Sequence, residues 1–156
     1  MEKLLFSSLN GLKYFLISIL LISCSQLNQS QPMEKIQYIS ITSWGGERGY
    51  HRSLQITSDS LFYEFGSAVD TVNNINIKKI NSHYKLEDFI AVNELINFSK
   101  MQSGESRQPV DGTDTEITIK TDTTEFKVTN AGNNNLWHSV MEKMNAIIEK
   151  EFKKEI

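Results

Sequence analysis

The chain is poor in the residues that brace small exported proteins and build metal centres: of its 156 residues one is cysteine, Cys24. A lone cysteine excludes an intramolecular disulfide and a cysteine metal cluster, so a domain in an oxidising compartment must be stable through its core alone. Proline occurs twice, each time in a break of pattern, Pro32 closing a polar stretch and Pro109 sitting in a loop-like one. Positive charge is not in excess. The chain carries a net −3, and its first 23 residues hold Glu2, Lys3 and Lys13, a net +1, which leaves −4 for the rest. That acidity argues against nucleic acid or an anionic lipid surface as a partner, because both demand a cationic patch. The late lysines Lys150, Lys153 and Lys154 alternate with Glu149, Glu151 and Glu155, as on a solvated helix face.

Catalytic signatures are missing as well. No His-Glu-x-x-His, paired Cys-x-x-Cys, Gly-x-Ser-x-Gly or Gly-x-x-x-x-Gly-Lys occurs, and His51, His83 and His138 are widely separated. No catalytic residue, metal ligand or dissociable cofactor is therefore assigned. Triads ignore sequence order, so a small envelope hydrolase with a site assembled in space from His51, His138 and scattered acids stands as the rival reading. Asp111-Gly112-Thr113-Asp114-Thr115-Glu116 gathers oxygen ligands as calcium loops do. It lacks the ligand order of an EF-hand, with Asp122 out of register, and Asp-Gly before a strand reads as a turn.

What is present starts at the N-terminus. Lys3 and Lys13 precede Tyr14-Phe15-Leu16-Ile17-Ser18-Ile19-Leu20-Leu21-Ile22-Ser23, and Cys24 follows. A spanning helix needs about 20 apolar residues; this run is shorter and fits the apolar region of a secretory signal. Leu21-Ile22-Ser23-Cys24 resembles the lipobox of bacterial lipoproteins. The resemblance implies cleavage between Ser23 and Cys24, a diacylglyceryl group on the Cys24 thiol, and an acyl chain such as palmitate on the new amine. Each buried CH₂ contributes about 0.8 kcal/mol, and a second chain turns marginal attachment into stable anchoring. The membrane is thus an expected partner through acyl chains, the only cofactor-like group being the covalent lipid on Cys24. Ser25, in place of an acidic residue, resembles the enterobacterial default that leads to the outer membrane, facing the periplasm. Residues 1–23 are read as signal peptide, 24–33 as flexible tether, and 34–156 as one domain.

Hydrophobic residues make up 39% and charged ones 22%, a globular rather than a disordered balance. Four extended segments come first: residues 35–43, 50–57 with alternating Tyr50, Arg52, Leu54 and Ile56, 61–65, and a weaker one through Ile75, Ile77 and Ile80. Ser58-Asp59 makes a tight hairpin turn between the second and third. Leu86, Phe89, Ile90 and Ile96 recur at helical spacing, with Leu95 flanking, which predicts an amphipathic helix over 86–98. A loop over 101–113 leads to short strands at 116–120 and 125–129. Leu136, Trp137, Val140, Met141, Met144, Ile147, Ile148 and Phe152 then form the strongest periodic stripe, read as core. The order β-β-β-β-α-β-β-α predicts an α+β domain, an antiparallel sheet with two amphipathic helices packed on one face.

One segment stands apart. Trp44-Gly45-Gly46-Glu47-Arg48-Gly49 places three glycines in six residues, which marks a turn with positive φ. Trp44 and Arg48, flanked by Gly45, Gly46 and Gly49, form a candidate binding loop, since both residue types dominate interface energetics. The alternative is that Trp44 covers the open end of the core and Arg48 is simply solvated. The strand, the Gly45-Gly46 turn followed by Gly49, the apolar-striped helix, the Pro109 to Asp111 loop, the hairpin and the terminal helix together resemble the emfourin group, small bacterial inhibitors of thermolysin-type metalloproteases. The resemblance spans residues 36–150; a lipoprotein signal and a longer segment between 66 and 85 depart from it. It implies protease inhibition through the Trp44–Gly49 hairpin. The leading expectation is a lipid-anchored, non-enzymatic binding domain of the cell envelope, protease-inhibitor-like or immunity-type, with an envelope protein or protease as partner. Besides the hydrolase, the other alternative is an accessory subunit of an envelope complex.

Overall fold

Six strands pair into one antiparallel sheet in a computed structural model that describes residues 34–154. The expected signal, the cleavage at Ser23, lipidation of Cys24 and the tether lie outside those residues. The strands are β1 (Ile36–Gly45), β2 (Tyr50–Thr57), β3 (Ser60–Ser67), β4 (Ile75–Ile80), β5 (Thr113–Thr121) and β6 (Glu125–Thr129). Their spatial order is β4-β3-β2-β1-β5-β6. The first four form a meander joined by short turns, as antiparallel pairing allows. The chain then crosses the sheet and adds β5 on the free side of β1, so β1 is central.

Register explains the core. Ile77, Tyr63, Leu54, Ile41, Ile117 and Val128 line up across all six strands on one face. Leu61, Ile56, Ile39 and Ile119 form the next row on that face. All of these but the half-buried Ile77 are buried. A one-residue slip would turn both rows to solvent, so the pattern fixes the pairing. The opposite face carries Ser40, Thr42, Ser53, Gln55 and Glu64, with Phe62 beneath the Lys78 ammonium at 4.8 Å. Antiparallel sheets commonly leave one such polar face wet.

Among the described residues two α-helices join the sheet, α1 (Leu95–Ser99) and α2 (Asn135–Ile147), the latter continuing as a π-helical turn over Ile148–Phe152. The Asn134 side chain caps α2 by accepting from the Leu136 and Trp137 N–H groups at 2.9 and 3.3 Å. From there α2 and the turn after it reach several strands on the core face. Trp137 Nε1 donates to the Val128 carbonyl of β6 at 3.2 Å. Asn145 accepts from Arg52 of β2 at 3.1 Å. Phe152 stacks on Tyr63 of β3 with centroids 4.8 Å apart.

The expected helix over 86–98 needs correcting. The segment forms two 3₁₀ turns, Leu86–Asp88 and Val92–Glu94, and then the short α1. Leu86, Phe89, Ile90, Leu95 and Phe98 are buried, but Ile96, placed on the stripe by its spacing, is 63% exposed. A 3₁₀ turn sets residues i and i+3 above one another, so one turn and a bend satisfy the same spacing as a long helix.

Two core features carry consequences. Lys79 points inward from the edge strand β4, with its ammonium 4.7 Å from the Phe152 ring and donating to the Glu151 carbonyl. An inward-facing charge on an edge strand discourages edge-to-edge sheet growth. Tyr63 is fully buried and its hydroxyl has no hydrogen-bond partner among the described residues. Tyr63→Phe removes that unpaired group and is expected to raise the unfolding free energy by about 1 kcal/mol in urea titrations. A loss of similar size would show that the hydroxyl is satisfied in solution.

Candidate binding surface

Three loops meet at the end of the sheet where β1 finishes. The β1–β2 turn has Gly45, Gly46 and Gly49 at φ 119°, 74° and 57°, as the glycine spacing predicts. A side chain at Gly45 would be strained, and its Cβ would lie 2.6 Å from the Gly112 carbonyl oxygen. The close approach lets the Gly46 N–H donate to that carbonyl at 3.1 Å. On the other side, the Ala68 N–H donates to the Gly49 carbonyl at 3.2 Å, and Ser67 Oγ donates to the Arg48 carbonyl at 2.9 Å. The turn is therefore tied both to the β3–β4 loop and to the segment before β5.

Asp114 anchors that last segment. Its carboxylate accepts from Ser106 Oγ at 2.6 Å, the Arg107 N–H at 2.7 Å, Gln108 Nε2 at 3.1 Å and Asn130 Nδ2 at 2.7 Å. These donors, first the Arg107 N–H and then Ser106 and Asn130, hold the carboxyl down at about 2. Asn130, itself in the left-handed region at φ 53°, also donates to the Glu105 carbonyl and accepts from the Thr115 N–H. Asp111 likewise sits at φ 56°, where it ends the 3₁₀ turn Gln108–Val110. A loop whose regular structure is a single 3₁₀ turn is thus fixed by one ionised carboxylate, whose oxygens are occupied by protein donors. Among the described residues no group of three or more His, Cys, Asp or Glu is arranged to hold a metal ion.

The surface so braced is apolar at its tips. Val69, Val72 and Val110 are 72%, 91% and 81% exposed, and Tyr50 is 41% exposed while stacking on Phe65 at 6.2 Å. Of the six exposed large hydrophobic residues among those described, only Ile80 and Ile96 lie elsewhere. Scattered exposed aliphatics are ordinary, but these three valines sit on loops braced by the sheet, the kind of segment on which binding residues are most often found.

The expected site residues are placed as follows. Arg48 is exposed at the turn, close to the valine loop. Trp44 is half-buried within β1, between His51 and Asp114 in register. It lies on the sheet face opposite Ile41 and Ser43, so the reading that Trp44 covers the open end of the core is corrected. The histidines do not converge. Arg52 faces α2, so its neighbour His51 faces away, 3.6 Å from Glu64, whereas His138 rides on α2, 3.1 Å from Glu142. Val69, Val72 and Val110 escape a sequence reading that treats polar stretches as connectors. The signal available is β-branched apolar residues inside Ala68-Val69-Asp70-Thr71-Val72-Asn73 and Pro109-Val110-Asp111, where a solvated loop has no use for them.

No helix among the described residues is long and apolar enough to cross a membrane. Compared with protein-family models and with curated proteins, the chain matches none.

Proposed function

We propose that this chain is a lipid-anchored, non-enzymatic binding protein of the cell envelope, of the protease-inhibitor or immunity kind, that engages a protein partner through the loop end of its sheet. In this reading both helices cover one sheet face, Cys24 carries the lipid, and the Trp44–Gly49 turn works with the loops beside it. The observation that carries it is the brace: Gly46 to Gly112, Gly49 to Ala68, and the four donors on Asp114 hold Val69, Val72, Val110 and Tyr50 outward before any partner arrives. Preorganised loops bind well because little ordering entropy remains to be lost. Arg48 and Tyr50 add the residue types that most often anchor interfaces.

The test pairs two measurements on natively expressed protein. Intact mass should show loss of residues 1–23 and addition of a lipid, both abolished in Cys24→Ala. Affinity capture from detergent-solubilised envelopes should then yield a partner that the triple variant Val69→Ser, Val72→Ser, Val110→Ser retains at least tenfold less well. Equal capture by the triple variant overturns the surface, and an unmodified thiol at position 24 overturns the anchor.

A further inference from the structure

Among the apolar tips of the loop end, Val72 alone combines near-complete exposure with an unspent main chain on both sides. It is 91% exposed, and residues 68–74 are exposed throughout. Among the described residues, the N–H groups of Asp70, Thr71, Val72 and Asn73 and the carbonyls of Val69, Asp70 and Val72 have no hydrogen-bond partner. Val110, in contrast, ends a 3₁₀ turn and donates its N–H to the Arg107 carbonyl at 3.2 Å. Val69 donates its N–H to Ser67 Oγ at 3.2 Å. We propose, on the inhibitor-like reading above, that residues 69–73 occupy the substrate cleft of an endopeptidase with the Val72 side chain in its specificity pocket. The target is then a protease that accepts a branched aliphatic residue.

Two observations select that chemistry. The first is the free main chain. A protease cleft reads a substrate twice, by hydrogen bonds to its backbone and by a pocket for one side chain. A plain apolar pocket satisfies only the second, and would strip the polar groups beside Val72 of water without replacement. The second is that the loop is closed on itself as well as tied to the β1–β2 turn. Asn74 Oδ1 accepts from the Ser67 N–H at 3.0 Å, the Asn74 N–H donates to the Thr71 carbonyl at 3.4 Å, and Asn73 Nδ2 donates to Asp70 Oδ2 at 2.7 Å. Gly66 makes room for the first of these, since a Cβ there would lie 2.7 Å from Asn74 Oδ1. Closure separates an inhibitor from a substrate: little ordering entropy is left to lose on binding. The Ser67–Asn74 and Asp70–Asn73 bonds also span Val72, so the two sides of the loop stay together in the cleft.

The experiment measures inhibition of three endopeptidases that share one mechanism and differ in the specificity pocket. Elastase has a small pocket, chymotrypsin a hydrophobic slot, and trypsin a carboxylate at the base. The full chain and its variants are added at up to about 100 μM to each enzyme with a chromogenic peptide substrate. The unaltered chain should inhibit elastase competitively and leave trypsin unaffected. Val72→Arg should gain inhibition of trypsin and Val72→Phe inhibition of chymotrypsin, each by roughly tenfold or more and each with loss against elastase. Residue 72 is exposed, so neither change disturbs the core. Adding Asn74→Ala to Val72→Arg opens the loop and should turn the chain into a trypsin substrate cut after residue 72, read by mass. Inhibition that does not follow residue 72, whether absent throughout or equal for the three enzymes, overturns the proposal. Envelope capture with Val72→Ser alone separates this anchor from the broader surface. If that variant keeps the partner while the triple serine variant loses it, the loop end binds but Val72 is not its anchor. If both keep the partner, the loop-end surface itself is overturned.

Discussion

Trp137→Ala is expected to lower the unfolding free energy by about 3–5 kcal/mol, the range for emptying a buried aromatic site. Trp137 is 3% exposed, and its indole N–H is bound to the Val128 carbonyl on the edge strand β6. Alanine leaves a cavity between α2 and the sheet and also strips that carbonyl of its partner inside the core. Domains of this size are stable by only about 5–15 kcal/mol, so the variant should be close to the limit of folding at room temperature. Trp137→Phe keeps most of the apolar volume and loses mainly the hydrogen bond, so it should cost roughly 1–2 kcal/mol. Urea midpoints at unchanged m-value measure both. A cost below 1 kcal/mol for the alanine variant would mean that α2 does not pack as described.

Asp114→Asn is expected to produce the second large change, and acid should reproduce it in the unaltered protein. The Asp114 carboxyl is held at about 2, against an ordinary value near 3.8. A carboxyl depressed on folding contributes stability that is complete above the unfolded value and is lost as pH falls through the folded one. The loop brace should therefore weaken between about pH 4 and pH 2. In Asp114→Asn the amide matches the shape but sets an NH₂ among four donors, so the brace is lost at every pH. Melting temperature should be lower for the variant at pH 7, by about 5 °C or more, and its further fall in acid should be shallower than in the unaltered protein. The remaining slope comes from Asp59, depressed mainly by its bond from the Thr57 hydroxyl, and Glu125, depressed mainly by Lys127. Partner binding should drop with the brace. Parallel acid slopes for the two proteins would exclude Asp114 as the anchor.

The strands and α2 were legible because each carries a repeated local signal. Leu54 and Ile56 alternate with half-buried polar residues, and Trp137, Val140, Met144 and Ile147 recur over successive turns. The connection through Leu86, Phe89 and Ile90 was not, because three apolar residues define a face but not the number of turns beneath it. Ala91 in an extended conformation, φ −71° and ψ 145°, breaks what the spacing joins. The candidate surface was half legible. Positive φ at Gly45, Gly46 and Gly49 follows from composition, whereas the role of Asp114 depends on donors from residues 106–108 and on Asn130, brought to it only by the β5–β6 pairing. Exposure of Val69 and Val72 is also a tertiary property, set by where the other described residues pack.

The central position of β1 has a spatial consequence. The chain reaches this strand at Glu34, whose carboxylate accepts from Thr123 Oγ1 at the β5–β6 turn, and leaves it at Gly45. Ten residues at about 3.3 Å each set some 30 Å between the two ends. The entry at Glu34 and the loop end at Gly45 therefore stand at opposite ends of the sheet, so whatever meets the valine tips is kept a full strand length from the point where the chain enters the domain.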